Sequence, residues 1–308
     1  MTSQASIETD EERARAGVIS AVLAYSMWGA LPVYFKLVNQ VPVLEVLVHR
    51  IVWAVPFGVL IILARKQMPE VKKAFTDRRT FWFLALAALL IAANWLLYIL
   101  SVLHEQIFQA SLGYYINPLL YVLVGVAFFG ERLRRFQIAA IILAAVGVAV
   151  LTISGGEFPV IALSLAALFT MYGVIRKQIV IGGMPGLFIE TLVLFPLALL
   201  YLIWLMRTGQ SYFTLDDPVM PGLLILAGPV TVVPLLFFAL AARRLRLSTI
   251  GLLQFIAPTL QFIIAVYYGE ELTTPHLICF GLIWLAVMLF IYDAWRLRRN
   301  KDAAISAN

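Results

Sequence analysis

The chain has 308 residues, 62% of them hydrophobic and 13% charged, with a formal net charge of +6 and a mean hydropathy of +0.94. Soluble proteins carry roughly 25% charged residues, so this composition excludes an ordinary cytosolic enzyme, a nucleic-acid-binding domain and a disordered chain. A single cysteine, Cys279, permits no internal disulfide and leaves the redox compartment open.

A helix crossing ~30 Å of hydrocarbon needs about 20 apolar residues. Ten such stretches follow one another, at 17–37, 43–64, 81–103, 107–129, 135–153, 158–177, 185–206, 220–242, 248–268 and 276–295. None alternates with period 2, which predicts helices and not barrel strands. Span 1 contributes Tyr25, Trp28 and Pro32. Span 2 carries Glu45, His49 and Arg50. Glu45 and His49 are four apart on one helix face, and Arg50 lies ~10 Å inside the outer end at 1.5 Å per residue. Charges at membrane depth are costly and line cavities or pair with one another. These three residues therefore form an expected charged gate, the alternative for Arg50 being a side chain that snorkels outward.

Span 3 sits in a run of 25 uncharged residues between Arg79 and Glu105 and sets Asn94, Tyr98 and Ser101 on one stripe. Span 4 holds Gln109, Ser111, Tyr114, Tyr115, Asn117 and Pro118. In span 5, Ala140, Ala144 and Gly147 suit close helix packing, either inside the chain or in a homodimer. Span 7 isolates Glu190, with 12 uncharged residues before it and 16 after. A lone carboxyl at that depth belongs to a gate or carries protons. Span 8 offers Thr231 beside Pro234, and span 9 places Gln254 and Gln261 seven apart around Pro258. Pro118 and Pro258 each free a backbone carbonyl one turn earlier, for a hinge or a solute contact.

The longest polar connection, Arg65 to Thr80, has 16 residues, so no soluble domain is expected. The first 16 residues include Glu8, Asp10, Glu11 and Glu12. They lack the basic start of a cleaved signal, so the first span is expected to stay in the mature protein. Twenty of the 23 Lys and Arg lie in the two tails and the loops after spans 2, 4, 6 and 8. Lys36 and Arg207 fall on the other side. By the positive-inside rule, both termini are expected in the cytoplasm of a multi-pass plasma-membrane protein, in the inner membrane if the source is bacterial.

The halves of the chain echo one another. Ser26-Met-Trp-Gly29 recurs as Thr170-Met-Tyr-Gly173, Glu45 as Glu190, Pro118 as Pro258, and Gly130-Glu-Arg-Leu133 as Gly269-Glu-Glu-Leu272. The two Gly-Glu pairs suit helix C-terminal caps. A repeat of five helices, an odd number, turns its second copy upside down, the plan of many secondary transporters. The expected fold is an all-α integral membrane protein of ten transmembrane helices in two inverted five-helix repeats. Its parts are an N-terminal tail at 1–16, repeats at 17–153 and 158–295, and a C-terminal tail at 296–308.

The runs Gly113-Tyr-Tyr-Ile-Asn-Pro-Leu-Leu120, Val233-Pro-Leu-Leu236, Ala241-Ala-Arg-Arg244 and Leu252-Leu-Gln-Phe-Ile-Ala-Pro-Thr-Leu-Gln261, with the His49-Arg50 pair, resemble the RarD-like permeases of the EamA branch of the drug/metabolite transporter superfamily. The resemblance covers about 17–295. It implies a ten-helix inverted-repeat carrier of small metabolites or drug-like solutes, with spans 1, 3, 4, 6, 8 and 9 along the path. On that path Tyr25, Trp28, Asn94, Tyr98, Tyr114, Asn117, Thr231, Gln254 and Gln261 are the expected neutral pocket. Taken singly, each also serves as glue between helices, at ~0.6–2 kcal/mol. Glu45, His49, Arg50 and Glu190 are the expected charged gate, with Lys36 ahead of Glu45 and Arg176-Lys177 ahead of Glu190 suggesting two symmetry-related latches.

The expected partners are a small-molecule solute, the lipid bilayer and, through span 5, a second copy, with no cofactor, no metal and no nucleic acid. Three rivals stand beside the carrier. For an intramembrane enzyme, His49, His104 and His276 lie on separate segments and form no HExxH pair. A channel would not need the inverted repeat. A non-catalytic membrane assembly partner would lack a cavity.

Overall fold

The computed structural model describes residues 10–129, 133–156, 158–214, 218–245 and 247–306, all helix or connection with no strand among them. The Gly130-Glu131 cap and Glu8 of the acidic start lie outside the described residues. Among the described residues ten spans are long and apolar enough to cross a membrane. The first is made of α1 (Asp10–Gly29) and α2 (Leu31–Leu37), broken at Ala30 just ahead of Pro32. Proline has no N–H to give and sits well only in a helix's first turn. The second span is α3 (Val43–Ala64), which runs on through Pro56.

The polar connection after it is not bare loop. It holds a short amphipathic helix, α4 (Met68–Thr76), with Pro69 in its first turn and Val71 and Ala74 buried. Then come α5 (Arg78–Leu103), α6 (Ile107–Phe129), α7 (Arg135–Gly155), α8 (Val160–Lys177), α9 (Gly183–Arg207) and α10 (Val219–Ala242). The ninth span is again broken, into α11 (Leu247–Leu253) and α12 (Ile256–Tyr267), and α13 (Thr274–Ser306) continues well beyond the apolar window. The matched prolines thus behave differently: α6 passes through Pro118, whereas α12 starts two residues before Pro258.

Helix α9 shows why these elements belong in lipid. Leu194, Ala198, Leu202 and Leu205 are buried at helical spacing, while Leu197, Leu200 and Trp204 between them are exposed. A helix apolar on both faces is one whose outer face meets hydrocarbon.

The chain forms two compact units, and each draws on both halves of the sequence. The first comprises Met1–Ala88 and Ile179–Leu260. Within it α3 packs on α9 and α10, α10 packs on α1, and α4 packs on α9. Its core joins Ala54, Ile62, Val71, Leu84, Met184, Phe188 and Val232. The approach of α10 to α3 is close enough that a Cβ added at Gly228 would stand 2.5 Å from the Trp53 carbonyl oxygen.

The second unit comprises Leu89–Gln178 and Gln261–Asn308, with α7 on α13 and α6 on α8. The small-residue stripe of span 5 is used here for packing inside the chain, Gly147 facing the backbone of Cys279. At the end of α12, Gly269 takes a left-handed φ of 79°. The Gly269 N–H donates to Val266 and the Glu270 N–H to Ala265, both at 3.1 Å, closing a Schellman cap. The Glu270 carboxylate then accepts the N–H groups of Ile107 at 2.6 Å and Phe108 at 2.9 Å. These are among the unpaired donors that open α6.

Candidate functional site

The charged residues of α3 are buried: Glu45 and His49 are at 0% exposure and Arg50 at 4%. Glu45 Oε1 accepts the Ser211 hydroxyl at 2.7 Å and the Tyr212 N–H at 2.8 Å. The Ser211 oxygen in turn accepts the Phe213 N–H at 3.1 Å. The connection after α9 is therefore tied down onto α3 through a carboxylate. The Phe213 ring stacks on His49 with centroids 5.3 Å apart.

His49 Nδ1 lies 3.2 Å from the indole N–H of Trp53. Indole can only donate, so Nδ1 accepts and the ring proton sits on Nε2. That nitrogen faces Glu45 Oε1 at 3.8 Å. Arg50 turns to another element: its Nε donates to Thr231 Oγ1 at 2.8 Å, and its guanidinium lies 5.9 Å from the Phe35 ring centroid. The Thr231 hydroxyl donates onward to the Ala227 carbonyl at 2.8 Å. Thr231, expected on the neutral path, thus accepts a hydrogen bond from Arg50, expected in the charged gate.

Two other expected path residues of the first unit are aromatic. Tyr25, Trp28 and Phe238 form a triangle of rings with centroids 5.6–6.1 Å apart. Gln254 lies in the break between α11 and α12, its N–H donating to Ile250 at 3.0 Å. The seven-residue spacing therefore does not set Gln254 and Gln261 on one continuous helix. Glu190, the counterpart of Glu45 in the repeat, is wholly buried on α9.

In the second unit the amides and tyrosines meet. Asn94 Nδ2 donates to the Leu165 carbonyl at 3.2 Å, and its Oδ1 accepts the Tyr114 hydroxyl at 3.3 Å. The Tyr98 and Tyr114 rings are 5.8 Å apart. Thr170, from the repeated Thr-Met-Tyr-Gly motif, donates to Asn117 Oδ1 at 3.0 Å. Gln261 is buried on α12. The set is uncharged, offering hydroxyl and amide groups that both donate and accept.

Ser211, the Tyr212 N–H, Phe213 and Trp53 escaped the sequence reading. Trp53 alone carried a signal, one turn after His49 on the same face. Among the described residues no group of three or more His, Cys, Asp or Glu is placed to hold a metal ion.

Comparison with known proteins agrees with this architecture. Residues 15–153 match the EamA-like transporter family. The chain is 46% identical over 286 residues to an uncharacterized transporter of Vibrio cholerae, covering 92% of this chain and 94% of that protein. It is 43% identical over 286 residues to the protein RarD of Escherichia coli strain K12, covering 92% and 97%. A solved structure at 16% identity superposes with a TM-score of 0.58 over 89% of this chain and 96% of that one, and shows the fold alone. With ten spans long and apolar enough to cross a membrane among the described residues, and relatives of this identity along nearly its whole length, the chain belongs to the RarD-like permeases of the EamA family and is a multi-pass membrane transporter of the drug/metabolite type.

Proposed function

We propose that this transporter is a secondary carrier of the bacterial inner membrane, with both termini in the cytoplasm, that exports or exchanges a small polar or amphipathic metabolite by alternating access. The observation that carries this reading is the buried Glu45–His49–Arg50 constellation on α3. Its hydrogen bonds reach 166 residues along the chain to Ser211 and 181 to Thr231. Charges inside the membrane are expensive to keep. Held by hydrogen bonds to a loop and to a second helix, they suit contacts made in one state of a carrier and broken in the other.

Arg50 then recognises an anionic group of the solute. Tyr25, Trp28, Asn94, Tyr98, Tyr114, Asn117, Thr231, Gln254 and Gln261 are the candidates for its neutral contacts. The five-helix repeat supports two alternative states of comparable energy.

The test loads proteoliposomes with a metabolite mixture and follows by mass spectrometry which compounds leave, for wild type and for Arg50→Gln. Saturable loss of one compound class, slowed roughly ten-fold or more by the loss of a charge-assisted contact, is the expected result. Equal rates in both would keep the carrier and remove Arg50 from the path. Indiscriminate loss would mean a pore, and no loss under any gradient would favour an assembly partner.

A further inference from the structure

A cleft of about 290 Å³ in the first unit is lined by Arg13, Arg65, Leu240, Arg243 and Arg244. Three separate helix ends deliver the four guanidinium groups. Arg13 lies in the first turn of α1, Arg65 is the C-cap of α3, and Arg243 is the C-cap of α10. The fold assembles them, since α10 packs on both α1 and α3. Gly17 lets α1 close in: a Cβ there would stand 2.9 Å from the Arg244 Cβ. Among the described residues no carboxylate lines the cleft.

Burial and the facing charges of Arg243 and Arg244 hold Arg65 below its ordinary value. A guanidinium does not give up its proton in a protein, so an incoming anion is what relieves this repulsion. The depth of the cleft is set by the same helix ends. Arg65 directly follows the span Val43–Ala64, Arg243 directly follows Val219–Ala242, and Arg13 is the second residue of Glu12–Leu37. All three flank the ends of apolar spans, where a bilayer crossed by these helices would place its lipid headgroups.

We propose that Arg13, Arg65, Arg243 and Arg244 form a binding site for a phosphate-bearing anion, separate from the residues assigned to solute transport. Guanidinium forks match phosphate oxygens in bidentate pairs. Leu240 supplies the apolar edge that a phosphodiester joined to a glycerol backbone would need. The volume is close to the lower end of small-ligand pockets, ~300 Å³, and fits a headgroup better than a bulky solute. The same chemistry admits two sources, an anionic phospholipid or a soluble phosphate.

The full chain in neutral detergent is titrated with phosphatidylglycerol, with phosphatidylcholine as control lipid and inorganic phosphate as soluble probe. Three variants are compared: Arg243→Gln, Arg65→Gln with Arg243→Gln, and Arg15→Gln, which removes an equal charge outside the cleft lining. Saturable phosphatidylglycerol binding, weakened about five-fold by Arg243→Gln and about 25-fold by the double variant, is expected, with Arg15→Gln unchanged. That pattern assigns the site to a lipid headgroup. The same pattern with inorganic phosphate assigns it to a soluble ligand. Equal binding of the two lipids, or a loss in Arg15→Gln as large as in Arg243→Gln, overturns the proposal, as does saturable binding of neither probe. Arg243 is exposed, so the single variant carries the comparison if the double one misfolds.

Discussion

Removing one oxygen at Ser211 should release the connection after α9. Ser211→Ala deletes the 2.7 Å bond to Glu45 Oε1 and the acceptor of the Phe213 N–H at 3.1 Å. A buried hydrogen bond contributes about 1 kcal/mol, and one to a charged group up to about 3 kcal/mol. The balance between docked and undocked loop then shifts about 5- to 150-fold. The Tyr212 N–H donates to Glu45, an acceptor the variant keeps, so that amide reports docking directly. Hydrogen–deuterium exchange over residues 209–214 should speed up by that factor, while peptides from α9 stay as in wild type. Exchange within two-fold of wild type would refute the idea that this carboxylate fastens the loop.

Three further outcomes are expected. Gly228→Ala forces a methyl group against the Trp53 carbonyl, which as backbone cannot yield, and should destabilise by about 1–3 kcal/mol. Gly222→Ala on the same helix meets nothing within 4 Å and should gain up to about 1 kcal/mol, a contrast that thermal unfolding in detergent would read. Glu270→Ala should unwind the start of α6 at a cost of about 1–2 kcal/mol, visible as lost amide protection at Ile107 and Phe108, with Glu270→Gln losing less because it keeps an acceptor. The Thr80 hydroxyl and the Arg79 N–H hold the exposed Asp77 carboxyl below its ordinary value. Its contribution is full above the unfolded value of about 3.9 and is lost as pH falls through the folded one. Protection factors at the start of α5 should therefore fall on acidification, and in Asp77→Asn they should no longer depend on pH.

What could be read from the chain was whatever the solvent imposes. An apolar window of about 20 residues is demanded by the bilayer itself, so the ten spans were legible nearly to their ends. Breaks inside spans were not, because Pro32 and Pro258 open new helix segments while Pro56 and Pro118 are absorbed into continuous ones. Proline marks a weak point, and tertiary contacts decide whether it yields. Helix α4 was hidden for a related reason: its two buried residues, Val71 and Ala74, make too short a stripe to stand out from a polar run.

At the candidate site, Glu45, His49 and Arg50 announced themselves by their cost. Asn94 and Tyr114, both named in advance, meet across 20 residues. Ser211 carries no such mark, since a serine in a loop is ordinary and its partner lies 166 residues upstream.

That distance matters for how the protein is made. The donors that open α6 are capped by Glu270, 163 residues later in the chain, and Glu45 must wait for Ser211. When the ribosome has delivered only the first five spans, both positions are still incomplete and depend on water or lipid headgroups. The first half of the chain therefore cannot be a finished membrane protein by itself, and its polar ends are sealed only when the later spans insert.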